Sequence, residues 1–262
     1  MAKLTIKDLL ASKGKTQLTE VFVSSPEEAR ACAEAGIDML VAVGNTGATA
    51  IRQAAPETFL TLGASELLAS KKDAVKAGLK LLQRGADAVY TGASLPFVRA
   101  MARESIPVIG HVGLVPYRSS WFGGFKAVGK TAGEALEVYK KTLAYQEVGA
   151  IAVEMEVVPH QVASEISKRV DIIVISMGSG SGCDAQYLFA TDILGSNTEH
   201  VPRHAKKYRD FKTEYARLHG ESVAAFEEFK EDVTSQHYPE TKHSINMNSV
   251  EYETFMKALN GL

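Results

Sequence analysis

Two carboxylates and one imidazole stand where short apolar runs give out. Glu154 and Glu156 sit two residues apart in Ala150-Ile151-Ala152-Val153-Glu154-Met155-Glu156-Val157-Val158-Pro159. In an extended chain, residues two apart share a face. Two carboxylates brought close together push one pKa up. His111 follows Ile106-Pro107-Val108-Ile109-Gly110 and is followed by glycines at 113, 123, 124 and 129. An imidazole beside a carboxylate of raised pKa is a workable proton-transfer pair. A third stretch, Met177-Gly178-Ser179-Gly180-Ser181-Gly182, offers backbone N–H groups to a carboxylate or phosphate. It lacks the lysine of a P-loop and comes too late in the chain for a dinucleotide fingerprint. No His, Cys or Asp pair has zinc spacing, and no GxSxG elbow is present.

Such groups need a scaffold, and the sequence repeats one. Thr5 to Ser12 reads as a leading helix stopped by Gly14, and Leu18 to Val23 as a strand. Ser25-Pro26-Glu27-Glu28 opens a helix ending at Gly36, and Ile37 to Val43 is a strand buried on both faces. Strands follow at Phe59–Leu62, Ala86–Tyr90, Ile106–Ile109, Ala150–Val153 and Asp171–Ile175, with a last one at Tyr187–Ala190. Helices fall at Lys71–Arg84, Leu95–Glu104, Ala132–Val148 and His160–Arg169. About eight strand–loop–helix units predict an α/β fold, a (β/α)8 TIM barrel with additional C-terminal helices; an open doubly wound sheet is the alternative. No linker composition interrupts the pattern. Residues 1–262 therefore read as a single domain, with the barrel at about 15–195 and C-terminal helices and tail at 196–262. Helices are expected at His204–Phe211 and Ser222–Val233, and the tail beyond His237 is expected to be an interface or a lid. The cluster Lys206-Lys207-Tyr208-Arg209 reads as a solvated helix face.

Composition narrows the class. The 262 residues are 45% hydrophobic and 23% charged with a net charge of −2, ordinary for a globular enzyme and no attraction for nucleic acid or an anionic membrane. No apolar run approaches the ~18 residues of a membrane span. The 2 cysteines form no framework and, with no signal-peptide core at the N-terminus, suggest a reducing, cytoplasmic setting.

In a parallel barrel, chemistry gathers at the C-terminal strand ends. There the sequence places Gly44-Asn45-Thr46-Gly47, Gly63-Ala64-Ser65-Glu66, Tyr90-Thr91-Gly92-Ala93-Ser94, His111, Glu154-Met155-Glu156 and the Gly/Ser loop. At these residues the chain resembles the ketopantoate hydroxymethyltransferase family, of the phosphoenolpyruvate mutase/isocitrate lyase superfamily of barrels. The resemblance is carried by Gly110-His111-Val112-Gly113-Leu114 with Pro116, by Phe122-Gly123-Gly124-Phe125-Lys126 and Gly129-Lys130, and by Val153-Glu154-Met155-Glu156-Val157-Val158-Pro159. It continues in Ile175 to Gly180, Cys183-Asp184-Ala185-Gln186, Asp192-Ile193-Leu194-Gly195, Val201-Pro202-Arg203 and Tyr238-Pro239-Glu240 through His243-Ser244.

The resemblance implies transfer of a hydroxymethyl group from methylenetetrahydrofolate to a small 2-oxo acid, in a homo-oligomer. It implies a Mg²⁺ ion that chelates the oxo acid and acidifies the neighbouring carbon. Glu156 falls on the family's catalytic base, and His111 is expected to line the oxo-acid or product pocket. Asn45, Thr46 and Tyr90 are expected to contact the substrate, and Ser179 or its neighbours to contact an anionic group. Three strand ends depart from the family. Gly44-Asn45-Thr46 stands where the family has Gly-Asp-Ser, with the Asp a metal ligand. Gly63-Ala64-Ser65-Glu66 stands where a second ligand, an Asp, is expected, and Tyr90-Thr91-Gly92 replaces Lys-X-Glu. Mg²⁺ wants carboxylate oxygens, so the usual metal site is expected to be absent or badly weakened. The alternative function is a diverged paralogue: a metal-independent lyase on another oxo acid, or a non-catalytic binding or assembly protein.

Overall fold

The computed structural model describes residues 3–64, 68–199 and 201–261. They fall into two compact units, one ending at Arg209 and the other beginning at Asp210; the sequence pattern alone treats residues 196–262 as additions to one barrel domain.

The first unit is the barrel. Its strands are β1 Leu18–Phe22, β2 Met39–Val43, β3 Phe59–Gly63, β4 Ala88–Tyr90, β5 Val108–Gly113, β6 Ala152–Glu156, β7 Ile173–Met177 and β8 Ala185–Phe189. They pair in parallel in that order, and β8 closes on β1. Closure leaves no open sheet edge. The helices are α1 Ile6–Ala11, α2 Pro26–Glu34, α3 Ala48–Ala54, α4 Lys71–Gln83, α5 Leu95–Arg103, α6 Ala132–Glu147, α7 His160–Ser167 and α8 Ala190–Leu194. Four of the eight, α1, α2, α4 and α6, start at a residue whose side chain caps the helix. Ser25, Ser70 and Thr131 each accept from a backbone N–H three residues on. The sequence pattern does not announce α3 or α8: α3 has no side-chain cap, and α8 has only 5 residues.

Inward-facing residues of alternate strands stack in tiers, as in barrels of this type. The register sets Met39, Ala88, Ala152 and Ala185 low in the barrel, then Glu20, Thr61, Ile109 and Ile175, then Val41, Tyr90, Glu154 and Tyr187. Phe22, Gly63, His111 and Met177 come next, below a rim that includes Val43, Glu156 and Phe189. α1 is fixed by a Thr5–Asp8 capping box and places the fully buried Leu9 in the same inner cluster as Leu18, Met39 and Phe59. The core between sheet and helices is aliphatic, with Val153, Val174, Ala29 and Ile166 among its members.

The second unit holds α9 Phe211–Thr234, a short 3₁₀ turn Thr241–His243, and α10 Ser249–Leu259. This corrects two expectations. Residues 204–210 are not helical, and one 24-residue helix runs where a shorter one from Ser222 is expected. The run of Lys and Arg before Asp210 therefore lies on irregular chain.

Candidate active site

The position of His111 is built by the glycines around it. β5 extends to Gly113, past the apolar run that ends at Ile109, so His111 lies within the strand with its ring inside the barrel. Gly110 faces outward, where a Cβ would stand 2.5 Å from the Tyr145 ring on α6. Gly113 has φ +83°, and a Cβ there would stand 2.3 Å from the Glu156 carbonyl oxygen. That freedom lets the Leu114 N–H donate to the Glu156 carbonyl at 2.9 Å. The Leu114 carbonyl then comes 2.7 Å from His111 Nε2, which must carry the proton of that bond.

His111 separates two carboxylates. Nδ1 lies 3.5 Å from Glu154 Oε2, and Nε2 lies 3.2 Å from Glu156 Oε2. Tyr90 Oη lies 2.7 Å from Nδ1. Burial alone would hold the imidazole neutral, but hydrogen bonds to Glu154 and Glu156 outweigh it and push the pKa up to about 9. Burial raises the Glu154 carboxyl, and His111 opposes that rise. Tyr90 is raised, first by burial and then by the charges of Glu154 and Glu156, so it stays a phenol and a donor. His111 is thus an imidazolium braced between two acids. The backbone after Glu156 is strained: Val157, a β-branched residue, has φ 51°.

Above this group lies a cavity of about 340 Å³ at the barrel mouth. Its polar lining is His111, Glu154, Glu156 and Tyr90; its apolar lining includes Phe22, Val43, Met177, Tyr187 and Phe189. The rings of Phe22 and Phe189 lie 4.9 Å apart. A cavity of this size accepts a small organic acid.

The structure brings Glu156, His111 and Tyr90 together and places three other expected contacts elsewhere. Asn45 and Thr46 are exposed in the loop after β2, with the Asn45 side-chain oxygen accepting from Gly47 N–H at 2.8 Å. Ser179 is buried, donates to the Met155 carbonyl at 2.8 Å and accepts from Val158 N–H at 3.0 Å. Its hydroxyl braces β6 against the Gly/Ser loop. Ser65 and Glu66 lie outside the described residues. Sequence reasoning misses Glu20, Phe22, Tyr187 and Phe189, whose inward aim depends on barrel register. It also misses His204, whose ring would meet a Cβ at Gly178 within 2.7 Å and feels the charge of Glu156.

The described strand ends do not suit Mg²⁺. Where the family's acids are expected, Asn45 is neutral and its side-chain oxygen accepts from Gly47 N–H, Ser65 and Glu66 lie outside the described residues, Gly92 has no side chain, and Glu154 and Glu156 both lean on His111. No group of three or more His, Cys, Asp or Glu able to hold a metal occurs among the described residues.

A closed parallel barrel with a buried His and two glutamates at its C-terminal mouth puts the chain in the class of (β/α)8 barrels with a polar mouth. 2,3-Dimethylmalate lyase, a phosphoenolpyruvate mutase/isocitrate lyase superfamily member, superposes with a TM-score of 0.53 at 14% identity, covering 99% of this chain and 100% of that one. Phosphonopyruvate hydrolase gives 0.52 at 12%, covering 100% and 99%. Within that class, the profile described as ketopantoate hydroxymethyltransferase matches residues 45–241. The 3-methyl-2-oxobutanoate hydroxymethyltransferase of Nitratidesulfovibrio vulgaris is 31% identical over 285 aligned positions, 98% of this chain and 90% of that protein. The enzyme of the same name from Hyperthermus butylicus is 31% identical, covering 98% and 96%. The chain belongs to the ketopantoate hydroxymethyltransferase family. No helix among the described residues is long and apolar enough to cross a membrane.

Proposed function

We propose that the protein is a hydroxymethyltransferase-type enzyme that removes the proton beside the carbonyl of a small 2-oxo acid and adds the resulting enolate to a one-carbon unit. The observation that carries this is Glu156 at the rim of the 340 Å³ cavity, braced 3.2 Å from His111. Glu156 takes the proton from carbon as general base. The electron pair moves into the carbonyl, and the developing oxyanion needs donors held in place before the reaction. Tyr90 supplies an O–H, and the imidazolium of His111 a positive charge. Water breaks the C–N bonds of the methylene bridge, which releases the one-carbon unit as formaldehyde and returns the carrier to its free amine. The enolate carbon attacks the formaldehyde, forming the new C–C bond, and the alkoxide takes back the proton held by Glu156. By family membership the one-carbon donor is methylenetetrahydrofolate and the acid is 3-methyl-2-oxobutanoate or a relative. The apolar rim of Phe22, Val43 and Phe189 favours a branched or larger apolar substituent. Mg²⁺ would supply carbonyl polarisation in the family's usual site; this donor set leaves that work to His111 and Tyr90.

The two thiols, Cys32 and Cys183, are free and suit a reducing cytoplasm. The second unit exposes Phe226, Phe229, Tyr252 and Phe255, which favours a homo-oligomer. Deuterium exchange tests the chemistry. In D₂O the protein should wash out the proton beside the carbonyl of 3-methyl-2-oxobutanoate, and Glu156→Gln should not. Absence of exchange from a panel of branched and aromatic 2-oxo acids, with and without Mg²⁺, would leave the binding or assembly paralogue as the reading.

A further inference from the structure

A second cavity, of about 740 Å³, opens on the outer flank of β5 between that strand, the 3₁₀ helix Pro116–Phe122 and α6. Its floor is apolar: Val112 and Val138 are buried there. Its wall carries Trp121, which is 87% exposed and is the chain's only tryptophan. Three cations, Arg118, Lys126 and Lys141, face the same space. None of them has a carboxylate partner among the described residues. The two acids on the cavity wall are already engaged. Glu134 accepts from the Lys130 N–H at 3.0 Å to cap α6, and Glu137 pairs with Lys140 at 2.8 Å. Arg118 and Lys141 are close enough that Arg118 adds to burial in lowering the Lys141 pKa.

Lys141 is half-buried over the apolar floor with Arg118 beside it, so the two repel and Lys141 is incompletely solvated, while the exposed Lys126 adds a third positive charge at the rim. An anion relieves both costs. A large indole left almost wholly in water is an unused stacking surface. One ligand class answers both features: a flat ring to lie on Trp121 and the valines, with two negative charges spaced to reach the cations.

We propose that this cavity is a second binding site, for an aromatic dianion bearing carboxylate or phosphate groups. The proposal concerns binding alone and stands apart from the reaction assigned to the barrel mouth. His111 lines both cavities, so a ligand held here borders that site.

The lone tryptophan makes the site directly readable. Protein labelled with 5-fluorotryptophan gives one fluorine resonance. It is titrated with naphthalene-2,6-dicarboxylate, 2-naphthyl phosphate, the uncharged 2-naphthalenemethanol and the ring-free adipate. Saturable shifts are expected with one or both aromatic anions, at affinities at least tenfold above those of the uncharged ring and of adipate. The dicarboxylate and the phosphate ester, compared directly, show which anion the cations prefer. Arg118→Gln and Lys141→Gln, each checked for an unchanged melting temperature, should weaken the aromatic anions about tenfold or more and leave the uncharged ring unaffected. Glu156→Gln should stop exchange at the barrel mouth and leave the titration unchanged, so the two readings fail separately. Equal binding of charged and uncharged rings, affinities indifferent to Arg118→Gln and Lys141→Gln, or no saturable shift with either anion at millimolar concentration would overturn the proposal.

Discussion

Glu156 Oε2 stands 3.2 Å from His111 Nε2, with the imidazole almost wholly buried and the carboxylate reaching the cavity. That order matters. The acid at the rim meets substrate, while the imidazolium behind it holds the acid in place and lends positive charge. Glu156→Gln keeps the shape and removes the base, so the rate of proton exchange should fall about 10²- to 10⁴-fold. Glu154→Gln removes the inner carboxylate, 3.5 Å from Nδ1. It should lower the pKa of His111 and shift the pH profile more than it lowers the maximum rate. Exchange rates measured across pH for both variants check this; equal losses would mean that the two acids act as one unit.

The braced imidazolium makes stability depend on pH. The folded pKa of His111, about 9, lies above its ordinary value of 6.5. A group whose pKa is raised by folding stabilises fully below the unfolded value and loses that stabilisation as pH climbs through the folded value. The melting temperature should therefore decline between about pH 6.5 and pH 9. The part owed to His111 is on the order of 3 kcal/mol. Thermal melts of the parent and of His111→Gln across that window provide the check, and the variant should show the shallower decline.

Gly113 ties the strand that carries His111 to the strand that carries Glu156. Its φ of +83°, and the 2.3 Å that would separate an added Cβ from the Glu156 carbonyl oxygen, leave no room for a methyl group. Gly113→Ala should cost about 1–2 kcal/mol from the left-handed backbone alone, and more from the clash. It should also push Glu156 off His111. The expected result is lower stability and exchange close to that of Glu156→Gln. A variant that melts like the parent and keeps full exchange would show that the β5–β6 corner tolerates movement.

Much of this is legible in the chain and some is not. Glu154 and Glu156 sharing a face follows from the period of a strand, and eight repeats of strand and helix bring both to the mouth of a barrel. The apolar run stops at Ile109, which by pattern alone puts His111 after its strand. The strand continues because a polar residue can face the interior once Glu154 and Glu156 answer it. Glu20 is unreadable. Its aim into the core is a matter of register between β1 and its neighbours, which local pattern does not carry. Ser179 misleads because its small size and glycine neighbours suit both an anion loop and an internal brace, and the latter wins through Met155 and Val158.

Donor chemistry at β2, β3 and β4 leads to a prediction about metal. With a neutral Asn45 after β2 and no side chain at Gly92 in place of the family's acids, exchange should change less than about twofold on treatment with EDTA or addition of Mg²⁺. Metal analysis of the purified protein and the two exchange rates check it. Stoichiometric Mg²⁺, lost together with activity, would mean that ligands come from outside the strand ends described.

The last prediction concerns Glu20, at the tier beneath Glu154. It is 1% exposed, and neither carboxyl oxygen has a hydrogen-bond partner; the Thr61 hydroxyl in the same tier lacks one too. An unpartnered buried polar group is costly, about 1–3 kcal/mol even when neutral. Burial and the charge of Glu154 raise its pKa well above the ordinary value, so in the folded protein it keeps its proton. Its contribution to stability is then largest below the unfolded carboxyl pKa and diminishes as pH rises above it. Glu20→Met fills similar space without polar atoms. It should raise the melting temperature by several degrees, and the gain over the parent should grow from pH 5 to pH 8. Exchange measured in parallel decides what the carboxyl is for. Unchanged exchange makes Glu20 a burden carried by the fold. A stabler protein with slower exchange makes it a proton store under Glu154, kept at the expense of stability.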